Sequence, residues 1–154
     1  MDGLGSAASV IAVIDLSAKV ASLCFQYSTA VKNAKSDIER LRRELDRLKT
    51  TLEGTRQLLD SPNGARLQTS QRLQDGLRGC SSPLTELETR LVKKLNSGTT
   101  RMMSQFGIRA LKWPFESKDV NRIMTTLERC RDTLSAALTI DQTYAIAFYL
   151  ACSG

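Results

Sequence analysis

The chain carries four thiols, Cys24, Cys80, Cys130 and Cys152, set so far apart in sequence that no CxxC pair occurs. It has no histidine at all. That absence removes Ser-His-Asp and Cys-His nucleophile pairs, HExxH zinc sites and ordinary imidazole acid-base work. With no CxxC pair and no His to complete a zinc site, Cys24, Cys80 and Cys130 read as small core hydrophobes in a reducing cytosol. No catalytic, cofactor or metal position is assigned, and a non-enzyme is expected.

The other side chains with chemistry to offer are charged. Between Arg90 and Phe115 lie six basic residues, Arg90, Lys93, Lys94, Arg101, Arg109 and Lys112, and no acidic one. The rest of the chain balances at 16 basic against 16 acidic, so the whole net charge of +6 sits in this stretch. Interleaved with it are Met102, Met103, Phe106, Ile108, Leu111 and Trp113. Such a mixture suits anionic lipid head groups or a phosphate backbone, or else forms a solvated loop whose apolar residues tuck under the fold.

Leu4 to Tyr27 is the second anomaly. It holds two charges in 24 residues, Asp15 and Lys19, and its apolar side chains occupy every helical face. One row is Leu4, Ile11, Ile14 and Ala18; the other is Val10, Val13, Val20, Leu23 and Tyr27. A helix of this length runs roughly 36 Å, enough to cross a bilayer core. Such a helix asks to be covered on all sides, by protein or by lipid. Met1-Asp2-Gly3 lacks the positive start of a secretory signal, and the central pair, able to bond at i,i+4, argues against a constitutive membrane span. At rest the helix is expected inside a bundle.

The remaining elements read as helices. The 154 residues are 42% hydrophobic, rich in Leu and poor in aromatics, with three prolines, which favours one all-α domain. Ser36 and Glu39 form a capping-box pattern before Ile38, Leu41, Leu45, Leu48, Leu52 and Leu59, whose spacing is a coiled-coil-like seam. Arg40, Arg42, Arg43, Glu44, Asp46, Arg47 and Lys49 are expected on its wet faces. A third helix keeps Leu67, Leu73, Leu77, Cys80, Leu84, Leu87, Leu91 and Leu95 in register through a bend near Pro83. The last starts at Ser117 as cap, with Asp119 in its first turn, and buries Val120, Ile123, Leu127, Cys130, Leu134 and Ala137. Tyr144 to Cys152 is again apolar nearly all round, either packed on the first helix or awaiting further protein. The expected architecture is a four-helix bundle over 1–154, with helices at about 4–31, 36–60, 65–96 and 117–150 and a basic loop at 97–116.

The opening MDGLGSAASVIAVIDLSAKV, the RLRRELDRLKTTLEG pattern and above all LKWPFESKDVNRIMTTLERCRDTLSAALTID resemble the HeLo-like N-terminal domain of fungal STAND (NOD-like receptor) proteins. The likeness spans about Met1 to Asp141. Its most specific piece is the step Lys112-Trp113-Pro114-Phe115 into the last helix. The resemblance implies a cell-death execution domain, cytoplasmic at rest, that oligomerises and targets or permeabilises the plasma membrane. It implies a membrane-inserting helix with Leu4, Val10, Ile11, Val13, Ile14, Asp15, Leu16, Lys19, Val20 and Leu23. It also implies contact with anionic lipid through Arg90, Lys93, Lys94, Arg101, Arg109 and Lys112, with Trp113 and Phe115 as bundle anchors. Expected partners are an anionic membrane, further copies of the chain, and a STAND/NACHT or repeat module in cis or a receptor in trans; nucleic acid is not expected. No Walker A loop with GK[ST] occurs. The alternative is a non-lytic, self-associating adaptor of such a receptor.

Overall fold

Seams with alternating three- and four-residue spacing can be buried only against one another, and four helices do so here. The computed structural model describes residues 5–31, 33–61, 71–95 and 112–153, and of residues 5–7 and 140–149 the backbone alone. Its elements are α1 (Gly5–Ala30), α2 (Lys35–Leu59), α3 (Gln71–Leu95) and α4 (Ser117–Ser153). No strand occurs among the described residues. The expected all-α four-helix bundle is what forms. The expected start of α3 at 65 lies outside the described residues, as do Leu67 and most of the basic loop.

Each helix packs chiefly on two others: α1 on α2 and α3, and α4 on α3 and α2. The diagonals are therefore α1/α4 and α2/α3. Cross-helix contacts fix the directions. Tyr27 reaches Leu91 and Lys19 reaches Glu88, so α1 runs parallel to α3. Arg40 reaches Asn121 and Glu44 meets Arg131, so α2 runs parallel to α4. Helix α2 begins after a four-residue connection from the end of α1 and runs back antiparallel on it.

The anticipated seams are buried. In α2, Ile38, Leu41, Leu45, Leu48, Leu52 and Leu59 are at most 5% exposed, and Thr55 fills the gap between the last two. Thr55 is tolerated there because its hydroxyl donates to the Thr51 carbonyl at 2.8 Å. In α3 the stripe runs Leu73, Leu77, Cys80, Leu84, Leu87 and Leu91, and the helix is continuous through Pro83. In α4 it runs Val120, Ile123, Leu127, Cys130, Leu134 and Ala137. At 37 residues α4 spans about 55 Å and continues 16 residues past Ala137.

Three expectations are corrected. Glu44 is fully buried rather than on a wet face. It stands one residue before Leu45 on the side facing α4, where Arg131 donates from Nε to its Oε1 at 2.9 Å. Arg47 lies 3.6 Å from Oε2, which has no hydrogen-bond partner among the described residues. Ser36 is not the cap of α2. The helix begins at Lys35 after Ala34, with no side-chain cap, and the Asp37 carboxylate in the first turn complements the dipole. Nor does Ser117 cap α4: it is the first helical residue, and its hydroxyl donates to Asp37 at 2.8 Å. Glu116 takes the cap position, and Asp119 accepts from the Glu116 backbone N–H at 3.2 Å, one half of a capping box displaced by one residue.

Helices α3 and α4 approach closely at two glycines. A Cβ at Gly76 would lie 2.9 Å from Leu134 Cδ2, and one at Gly79 2.8 Å from Cys130 Sγ. Gly54 in α2 has nothing within 4 Å. Alanine should therefore act with opposite sign at two helical glycines. Gly54→Ala gains about 0.5–1 kcal/mol from lower backbone entropy, whereas Gly76→Ala loses about 1–2 kcal/mol net through overpacking on fully buried Leu134. Urea denaturation midpoints distinguish the two. Arg131→Met strands the Glu44 carboxylate and should cost about 2–4 kcal/mol in the same assay, with much of it recovered in Glu44→Leu/Arg131→Met.

Candidate functional site: the N-terminal helix and the cluster at its end

Along α1 the buried residues are Val10, Val13, Ser17, Val20, Cys24, Tyr27 and Val31, with Leu23 beside them. The first seven keep an unbroken 3-4-3-4 alternation, so α1 is fastened by one seam. Of the two apolar rows in the sequence, the one through Val10 and Val20 is the buried one. The other is largely open: Ile11 is 43% exposed, Ala18 is exposed and Ile14 half-buried. The expectation of covering on every side is thus not met, because two neighbouring helices subtend only part of the circumference.

The residues assigned to a membrane-inserting helix accordingly fall into three sets. Val10, Val13, Val20 and Leu23 are core, Ile14 and Leu16 are half-buried, and Ile11, Asp15 and Lys19 face outward; Leu4 lies outside the described residues. Lys19 does not bond Asp15 but reaches Glu88 on α3, at 3.6 Å. Phe25 is 54% exposed, with the Arg42 guanidinium 5.5 Å from its ring centroid. Burial pushes the Cys24 thiol up to about 12, against a smaller opposing pull from Arg42, so at neutral pH it stays protonated and apolar.

At the C-terminal end of α1 three helices are tied by aromatic rings. Tyr27, fully buried, donates its hydroxyl to the Leu91 carbonyl at 2.8 Å, and desolvation raises its pKa to about 12. Trp113 meets Tyr27 edge-on at 5.5 Å between centroids and Phe115 at 5.3 Å. The Arg90 guanidinium carbon stacks 4.2 Å from the centroid of Phe115, and Nη2 donates to the Pro114 carbonyl at 2.6 Å. Glu86 and Asp119 lie 3.8 and 4.0 Å from Nη1. Arg90 is thus built into the fold, holding residues 114–115 on the end of α3.

Of the other residues assigned to lipid, Lys93 and Lys94 occupy the exposed last turn of α3, where they complement the helix dipole, and Lys112 is exposed beside Trp113. Arg101 and Arg109 lie outside the described residues. These three lysines therefore share one end of the bundle with the connection between α1 and α2. Sequence reasoning missed the role of Arg90: its partners at 114, 115 and 119 are over twenty residues away, and nothing in the local pattern marks them.

Fold and site together define a class, an all-α four-helix-bundle domain with an apolar N-terminal helix held by a single seam. Within that class the chain belongs to the family described as pigment biosynthesis cluster protein PigL N-terminal, whose sequence profile matches residues 1–145. The match is in keeping with the HeLo-like resemblance at the level of a helical domain. No curated protein and no solved structure matches the chain.

Trp113 is the chain's one tryptophan and reports directly on this cluster. Arg90→Ala removes both the stack on Phe115 and the bond to Pro114. It should red-shift Trp113 emission and raise its quenching by acrylamide, with a stability loss of about 1.5–3 kcal/mol in denaturant.

Proposed function

We propose that this domain executes a cell-death signal by oligomerising and permeabilising the plasma membrane through α1. The observation that carries the proposal is the state of that helix. Ala8–Ala30 is long and apolar enough to span a bilayer, yet only a third of its most apolar window is buried in the bundle. A core helix that merely happens to be apolar is mostly covered; this one is held by one stripe and leaves Ile11 and Phe25 in solvent.

Magnitudes indicate why oligomerisation belongs in the reading. Eight large apolar residues of this span, Val10, Ile11, Val13, Ile14, Leu16, Val20, Leu23 and Phe25, contribute about 2–5 kcal/mol in favour of insertion. Asp15 and Lys19, near mid-helix, cost about 5–7 kcal/mol together. Insertion of a lone helix is therefore unfavourable. Several copies that turn Asp15 and Lys19 toward a shared polar lumen avoid most of that cost, and small residues at Ala8, Ala12, Ala18 and Ser22 let neighbouring helices approach.

Recruitment falls to the basic end. Lys93, Lys94 and Lys112 contribute roughly 1 kcal/mol each near an anionic surface, about a hundredfold in partitioning together. The domain is placed in the cytoplasm at rest and at the plasma membrane on activation, under the control of a STAND/NACHT or repeat module in cis or a receptor in trans. Binding and assembly, rather than catalysis, are its work.

Dye release from vesicles with and without anionic lipid tests this. The wild-type chain should release dye only from anionic vesicles. Ile11→Glu, at an exposed position that leaves the seam intact, should abolish release while the circular-dichroism melt stays within a few degrees. Lys93→Gln/Lys94→Gln/Lys112→Gln should lower vesicle binding by one to two orders of magnitude. A folded, oligomeric chain that releases nothing from either vesicle type would refute the lytic reading and favour a non-lytic adaptor.

A further inference from the structure

The cysteines, alike in sequence, differ in the fold. Cys24 sits in the α1 seam and Cys152 is exposed near the end of α4, whereas Cys80 and Cys130 come from helices in direct contact. Their level follows from the antiparallel register of α3 and α4: Gly76 faces Leu134 and Gly79 faces Cys130, so Cys80 is also level with Cys130. Glycines at 76 and 79 remove the side chains that would hold the helices apart. The short reach of a disulfide, with Cα atoms about 4.4–6.8 Å apart, requires a close approach of this kind.

We infer that Cys80 and Cys130 form a redox-active pair, a modification site at which a peroxide converts two thiols into one disulfide joining α3 to α4. Cys130 is the attacking thiol: it retains 8% exposure, while Cys80 is fully buried. The ionisation of the two thiols is split in the same sense. The hydrogen bond between them, in which Cys80 keeps the proton, holds Cys130 down to about 7, and the same bond with burial pushes Cys80 well above the usual thiol range. In the first step the Cys130 thiolate attacks a peroxide oxygen; the O–O bond breaks, Cys130 becomes a sulfenic acid and hydroxide leaves as water. Cys80 sulfur then attacks the Cys130 sulfur, the S–OH bond breaks, and the thiol proton leaves with the hydroxide as a second water. Two electrons pass from sulfur to peroxide, and one S–S bond replaces two S–H bonds.

The test uses the full chain carrying Cys152→Ser, which removes the exposed thiol able to link two molecules. Hydrogen peroxide should lower the intact mass by about 2 Da, the two hydrogens lost in closing one disulfide. Peptide mapping should link the Cys80 and Cys130 peptides. The closed loop of 51 residues, counted from Cys80 to Cys130, should raise Tm by roughly 8–16 °C, reversibly with dithiothreitol. In Cys80→Ala the resolving thiol is gone, and a dimedone probe should trap the sulfenic acid at Cys130. Linkage of either thiol to Cys24, or Cys80 and Cys130 both still open to alkylation after unfolding, would overturn the inference whether or not Cys80→Ala folds.

Discussion

The burial of Tyr27 is the constraint on which the upper end of the bundle depends. A tyrosine hydroxyl with no access to water needs a partner, and the Leu91 carbonyl supplies it at 2.8 Å. That bond joins the end of α1 to the end of α3 across 64 residues of sequence. Trp113 then packs on the Tyr27 ring, Phe115 on Trp113, and Arg90 on Phe115, so the entry to α4 is set by the same hydroxyl. Displacing one ring would leave Arg90 stacked on nothing and would expose the Tyr27 edge.

Polar residues in the interior show why some positions could not be seen in advance: Thr55 and Glu44 Oε1 find hydrogen-bond partners there, whereas Ser17 Oγ has none among the described residues. The seams of α2 and α4 were legible because leucine, isoleucine and valine at three- and four-residue spacing have one physical use in a water-facing helix. Ser17 and Thr55 continue such seams but are polar, and a pattern built on hydrophobicity skips them. Glu44 is harder still, since only the arrival of Arg131 from 87 residues away makes its burial tolerable. The cap at Ser117 failed for a related reason, while Ser36 falls inside a helix that already starts at Lys35. Ser117 is drawn to Asp37 of α2, and a tertiary hydrogen bond outweighed the local one. For α1 the sequence displayed two apolar rows; which of them faces the core is decided by the neighbours, not by the helix.

Charge is partitioned with the same economy. Basic residues that looked equivalent along one stretch divide into a structural member, Arg90, whose guanidinium meets a ring, a carbonyl and two carboxylates, and exposed lysines at the end of α3 and beside Trp113. Planar guanidinium can stack and bond at once, which an ammonium cannot. An arginine at 90 and lysines at 93, 94 and 112 thus match what each position asks of its cation.

The shortness of the connection between α1 and α2, four residues between Ala30 and Lys35, bears on leverage. The connection to α2 lies at the end of the bundle that carries Lys93, Lys94 and Lys112, so a detachment of α1 from α2 would pivot there. A rod of 26 residues swung about that point sweeps a radius of about 39 Å. Half a revolution would carry its tip from alongside α3 to the far side of the pivot, beyond the lysines. That radius exceeds the roughly 30 Å thickness of a bilayer's hydrocarbon core. The connection that looks like a simple hairpin therefore has the geometry of a jack-knife hinge, with its blade folded against the handle.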